Sequence, residues 1–184
     1  LTSALLAACG REAGPTVSPA QPQAAAPPKA ILIIGDGMDD QHVTIARNYL
    51  VGQSGRLTLD GMPKRAAVQV QTVSEEVPHV PEYVPDSANT ATSMATGIVT
   101  SAGRISTTAG DDRDAPTVVE LAAAAGLGTG VVTTASVTDA TPASFLAHVS
   151  WRLCEGPTGM VTTNARNPAF SSNCSADLKA NGGP

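Results

Sequence analysis

Aromatic side chains are nearly missing from this 184-residue sequence: one tryptophan, two tyrosines and two phenylalanines amount to 3%. So few rings leave little for bases to stack on, and no basic run offers a stripe for a phosphate backbone. With 11 basic residues against 16 acidic ones the net charge is −5, which argues further against nucleic acid as a partner. Beyond residues 1–8, no stretch is long and apolar enough to span a membrane. There is no internal repeat, so a solenoid or propeller is not indicated. Cysteine is scarce as well, with Cys9, Cys154 and Cys174 only and no Cys-x-x-Cys, a poor basis for a cysteine-bound zinc.

The chain reads in three parts. Residues 1–9 look like the end of a signal peptide, and Leu6-Ala7-Ala8-Cys9-Gly10 resembles a bacterial lipobox in which Cys9 is lipidated. An ordinary signal peptide with an incidental cysteine is the other reading. Residues 10–29 are rich in proline, alanine and glutamine, a composition that forms no core and suits a flexible tether. Residues 30–184 are long enough for one domain core. Within them, strands are expected at 30–34, 66–72 and 129–134, and helices at 41–50, 87–96, 115–125 and 142–151. Alternating strands and helices predict an α/β fold with a largely parallel central sheet flanked by helices.

Three segments carry chemistry. In Pro85-Asp86-Ser87-Ala88-Asn89-Thr90 a hydroxyl follows an acid where an extended segment turns into a helix. Asp86 or Ser87 serves there as an N-cap, or Ser87 is a nucleophile set among free N–H groups that attract phosphate. In Ile31-Leu32-Ile33-Ile34-Gly35-Asp36-Gly37 an apolar run, as in a strand buried on both faces, ends in an acid between two glycines. Asp36 is either a turn residue or a metal ligand at the carboxyl end of a strand. In Asp139-Ala140-Thr141-Pro142 a carboxylate and a hydroxyl open the last expected helix, as caps or as hard oxygen ligands for Mg²⁺. Arg152, near the far end of that helix, has the side chain suited to a bidentate grip on phosphate.

Together, and in this order, the three segments resemble bacterial alkaline phosphatase. The similarity runs on through Ala46-Arg47-Asn48-Tyr49, Ala124-Ala125-Gly126-Leu127-Gly128-Thr129-Gly130 and Ala147-His148-Val149, covering about residues 30–155. The resemblance implies hydrolysis of phosphate monoesters through a phosphoserine on Ser87, with Arg152 holding phosphate oxygens and Asp86 orienting Arg152. It implies Zn²⁺ and Mg²⁺ as cofactors, with Asp36 bridging a zinc and the magnesium site and with Asp139 and Thr141 as magnesium ligands. A homodimer is expected of the full-length protein, which the signal reading places in the periplasm, with membrane attachment only through a lipid on Cys9. In that oxidising compartment Cys154 and Cys174 are expected to pair, closing a loop worth roughly 3 kcal/mol.

The metal ligands do not add up. Only His42, His79 and His148 are available, none paired at ligand spacing, and His148 reads as a packed mid-helix residue. The resemblance implies that the remaining zinc ligands lie in a C-terminal half outside this sequence. The polypeptide by itself is therefore expected to be inactive, and its unpartnered sheet edges to make it unstable. Asp39 stands where many relatives have glycine, either as a helix cap or as extra negative potential near the metals. Three other functions stay open: a phosphodiesterase or sulfatase relative, a non-catalytic lipoprotein that binds phosphate or a surface partner, and a short protein with a scaffold role. A serine in Ser87-Ala88-Asn89, rather than threonine or a Cys-x-Pro-x-Arg nucleophile, favours the monoesterase.

Overall fold

The computed structural model describes residues 29–156 and Cys174, so the lipobox and the tether lie outside the described residues. The chain divides into two compact units, Leu1–Ile34 and Gly35–Pro184. Of the first unit only residues 29–34 are described, a stretch without helix or strand in which Ile31 and Ile33 are 89% and 86% exposed. In the second unit α1 (Asp40–Val51) is followed by a single 3₁₀ turn (Thr58–Gly61) and by β1 (Thr72–Val73) and β2 (Pro81–Glu82). Then come α2 (Ser87–Thr96), α3 (Val118–Ala124) and α4 (Ala140–Ala143). No helix among the described residues is long and apolar enough to cross a membrane.

The core is built on α2. Its buried residues, Ala88, Asn89, Ala91, Thr92 and Ala95, recur at helical spacing on one face. Four of the five are alanine or threonine, so neighbouring backbone approaches closely and hydroxyls replace bulk as the binding element. Ala88 packs with Ile105, Ala140 and Ala143. Thr92 donates to the Arg104 carbonyl (3.0 Å) and accepts the Ser106 N–H (2.8 Å), while Ser106 Oγ donates to the Ser144 carbonyl (2.5 Å). Beneath this layer Arg104 is almost wholly buried and is paired with Glu75 (2.5 Å) and with Asp112. Buried charges are tolerated only when paired in this way.

The helix starts follow local chemistry. Asp39 caps α1, with the His42 N–H donating to Asp39 Oδ1 at 3.0 Å. Helix α2 has the expected bounds, and α1 extends one residue further than expected at each end. Helix α3 is shorter than the expected 115–125. Pro116 keeps the preceding residue extended, Thr117 caps the helix by accepting the Glu120 N–H (3.1 Å), and Gly126 at φ 76° follows its end.

Other expectations are corrected. The helix expected at 142–151 is a single turn, Ala140–Ala143; hydrogen-bonded turns carry the chain on to Ala147, and Val149 then pairs antiparallel with Ile105. His148 is accordingly not a mid-helix residue. The three expected strands do not form either: of their residues only Thr72 enters a ladder, and that ladder is antiparallel, Thr72 opposite Glu82 and Val73 opposite Pro81. A strand exists only when a neighbour takes up its N–H and C=O groups. The segments at 30–34 and 129–134 have no such neighbour among the described residues, and a parallel sheet is not seen there.

His148 instead fastens α3 to the segment after Ile105. Its ring faces the Ser106 carbonyl through Nδ1 and Glu120 Oε1 through Nε2, both at 2.9 Å. Burial works against the charge of the ring, yet the Ser106 carbonyl and the Glu120 carboxylate outweigh it and raise the pKa above the ordinary imidazole value. Glu120 is lowered, first by the Thr117 N–H and then by His148. A raised imidazole stabilises below its unfolded value and loses that contribution as pH rises through the folded one; a lowered carboxylate does the reverse. The pair is therefore strongest between the ordinary carboxylate and imidazole values. Between about pH 6 and about pH 8.5 the thermal midpoint of the chain is expected to fall more than that of a His148→Gln variant. Equal slopes by circular dichroism would show that the ring carries no such charge.

Candidate active site

Ser87 is the first residue of α2, and Asp86 is its N-cap. The cap is reciprocal: the Asn89 N–H donates to Asp86 Oδ1 (3.1 Å), and the Asp86 N–H donates to Asn89 Oδ1 (2.8 Å). That arrangement uses the N–H at the third helical position and leaves those of Ser87 and Ala88 without intrahelical partners. They lie at the positive end of the helix, where an anion is favoured.

The hydroxyls of α2 are not equivalent. Thr90, Thr92, Ser93 and Thr96 each donate to a backbone carbonyl, at 2.7–3.0 Å. Ser87 Oγ instead accepts from Arg152 Nη1 at 2.9 Å. The same Nη1 donates to Asp86 Oδ2 (3.2 Å), and Nη2 donates to Asp139 Oδ1 (3.3 Å). Roughly a quarter of the Arg152 side chain is open to solvent, enough for a ligand to reach the guanidinium. The structure thus gathers Asp86, Ser87, Asp139 and Arg152 at the start of α2, although Arg152 and Ser87 are 65 residues apart.

Asp36 and Thr141 form a second cluster, with Thr141 Oγ1 donating to Asp36 Oδ2 at 2.7 Å across 105 residues of sequence. Asp139 caps α4, so it stands one short step from Thr141 while its Oδ1 faces Arg152. Hard oxygen donors in contact suit a magnesium ion, which takes one or two carboxylates and keeps several waters. They do not suit zinc by themselves, because no imidazole joins them: His42 is bonded to Asp39, and His148 to Ser106 and Glu120. Among the described residues there is no group of three or more histidine, cysteine, aspartate or glutamate side chains able to hold a metal.

Arg152 is positioned by its backbone as well as by its side chain. Its N–H donates to the Gly103 carbonyl at 2.7 Å, and the Gly103 N–H donates to Asp86 Oδ1 at 3.1 Å. Gly103 sits at φ 87°, and a Cβ there would lie 1.8 Å from Trp151 Cζ3, so no other residue fits without displacing the ring. Two residues beyond Arg152, Cys154 is joined to Cys174 by a buried disulfide with Cα atoms 5.7 Å apart. Sequence reading passed over Gly103 and Asn89. The one available signal was an amide three residues after a helix-capping aspartate.

The family model for alkaline phosphatase matches residues 29–180. The chain belongs to the alkaline phosphatase family. Among curated members it is 46% identical over 153 residues to streptomycin-6-phosphate phosphatase of Streptomyces griseus, covering 83% of this chain and 31% of that one. It is 43% identical over 128 residues to alkaline phosphatase of Escherichia coli K12, covering 69% and 27%. Among solved structures it resembles a cold-active alkaline phosphatase from a psychrophilic Shewanella, with a TM-score of 0.53 and 26% identity over 81% of this chain and 39% of that one. The chain thus spans 27–31% of the length of these two curated alkaline phosphatase relatives, and its fold is of the alkaline phosphatase kind.

Proposed function

We propose that this chain carries the nucleophile-bearing part of a phosphomonoesterase, hydrolysing phosphate monoesters through a phosphoserine on Ser87. One observation carries the reading: Ser87 Oγ lies at a helix start, 2.9 Å from an arginine that also spans two carboxylates. The Ser87 N–H and the Arg152 guanidinium bind the non-bridging oxygens of the ester. Ser87 Oγ attacks phosphorus, the ester P–O bond breaks, and the alcohol leaves with a proton. Water then attacks phosphorus, and Ser87 Oγ departs and regains its proton. Arg152 matches the charge of the phosphoryl group in both halves, while Asp86 and Asp139 hold its guanidinium in place. Asp36, Asp139 and Thr141 would hold Mg²⁺, and Asp36 would also reach a Zn²⁺ that needs further ligands; bound there, these ions would supply positive charge to activate the hydroxyl and stabilise the leaving oxygen.

Two further elements belong to the same proposal. A largely parallel central sheet flanked by helices is the fold proposed for the full-length protein, and the exposed apolar side chain of Val132 supports burial of the 129–134 segment there. The disulfide supports an oxidising compartment, the periplasm, with Cys9 as a lipid anchor.

Substrate class provides the test. A site that offers an arginine at the positive end of a helix favours the monoester dianion over a diester or sulfate ester of one negative charge. The full-length, metal-loaded protein is expected to release phosphate from an aryl monoester at least about 100-fold faster than it cleaves the matching diester or sulfate. Comparable rates would favour a phosphodiesterase or sulfatase instead. Phosphate binding without turnover of any ester would favour the non-catalytic lipoprotein.

A further inference from the structure

The two carboxylate oxygens of Asp86 have separate tasks. Oδ1 faces the scaffold and accepts the N–H groups of Asn89 and Gly103, each at 3.1 Å. Oδ2 faces the site and accepts Arg152 Nη1 at 3.2 Å. The aim of Oδ2 therefore depends on what holds the other half of the residue. Asn89 does most of that holding. It is 0% exposed, and its amide is spent entirely on backbone: Oδ1 accepts the Asp86 N–H at 2.8 Å, and Nδ2 donates to the carbonyls of Gln71 (3.2 Å) and Thr100 (3.3 Å).

A helix cap does not require this. A glutamate or glutamine at the same position would close the box from the surface. A buried asparagine adds two ties that a capping box lacks, one to the residue before β1 and one to the segment that leads from α2 to Gly103. Gly103 in turn gives Asp86 its second N–H and takes the N–H of Arg152. One amide thus locks together the helix start, the β1 edge and the loop that supports Arg152.

We propose that Asn89 is a positioning residue for the phosphate grip, setting the aim of Arg152 on the phosphoryl group through Asp86. The proposal rests on the phosphomonoesterase reading and adds to it a residue that touches neither substrate nor metal. Asn89→Ala suits the test, since alanine is at home in a first helical turn. The Thr100 carbonyl would also keep Thr72 Oγ1 (3.3 Å) and the Val73 N–H (3.4 Å) as donors.

The experiment is a double-mutant cycle in the full-length, metal-loaded protein, read by the inhibition constant of inorganic phosphate and by kcat and KM for an aryl phosphate. Asn89→Ala is expected to raise both the inhibition constant and KM about 3- to 10-fold, with a smaller change in kcat. Added to Asp86→Ala it should cost nothing more, because the route through Asp86 is already cut. Asn89→Ser, which keeps a hydroxyl at the buried site, replaces it if the alanine variant does not fold. Fully additive losses in the cycle would mean that Asn89 merely supports the fold, and an unchanged inhibition constant in the single variant would overturn the proposal outright. If Asp86→Ala and Ser87→Ala also left phosphate binding and turnover untouched, the phosphomonoesterase reading itself would fail.

Discussion

Replacing Ser87 by alanine in the full-length, metal-loaded protein is expected to lower the turnover of phosphate monoesters by at least about a thousandfold and to abolish covalent phosphate on the protein. The expectation rests on how the structure sorts the hydroxyls of α2. Thr90, Thr92, Ser93 and Thr96 all donate to backbone carbonyls, so each is committed to the helix or to the core. Ser87 alone among them meets a guanidinium, at the one position where helix N–H groups stay free for an anion. Incorporation of labelled phosphate after an acid quench is the measurement. Label retained by the Ser87→Ala protein would place the nucleophile on another residue. Because Ala keeps the helix start and the Asp86 cap intact, unfolding does not obscure the result.

Removal of divalent cations has an effect of similar size. Ser87 Oγ is bonded to Arg152, which cannot accept a proton. His42 is bonded to Asp39, and His148 to Ser106 and Glu120. A serine hydroxyl without a base is a weak nucleophile. Hydrolysis of phosphate monoesters is among the slowest uncatalysed reactions, requiring up to ~10²¹-fold acceleration. The proposed source of activation is positive charge, for which Asp36 and Thr141 offer oxygen ligands in contact at 2.7 Å. Exhaustive chelation of the full-length protein is expected to cut kcat/KM by at least about a thousandfold, and Zn²⁺ with Mg²⁺ to restore it. Unchanged turnover in the chelated protein, with metal content verified by mass spectrometry, would rule out the metal role of Asp36 and Thr141.

Much of the site was legible in sequence because it depends on short-range rules. Asp86-Ser87 at the change from extended chain to helix gives the start of α2, and Gly97 at φ 78° gives its end. Strands were not legible in the same sense. The run Ile31-Leu32-Ile33-Ile34 has the composition of a buried strand, yet pairing is decided by a neighbour that no local pattern supplies. The short length of α4 has the same cause, since a long-range bridge between Val149 and Ile105 competes with continued helix.

Sequence by itself determined the family pattern, the helix that presents Ser87, and the residue types that suit phosphate and oxygen-bound cations. Tertiary structure decided which of those residues meet. It brought Arg152 to Ser87 across 65 residues and Thr141 to Asp36 across 105, and it placed Asp39 as a helix cap. It also revealed Asn89 and Gly103 as the supports behind Asp86. The reason is physical. A helix start is fixed by groups within four residues of it, whereas the aim of a guanidinium is fixed by the packing of segments far apart in the chain.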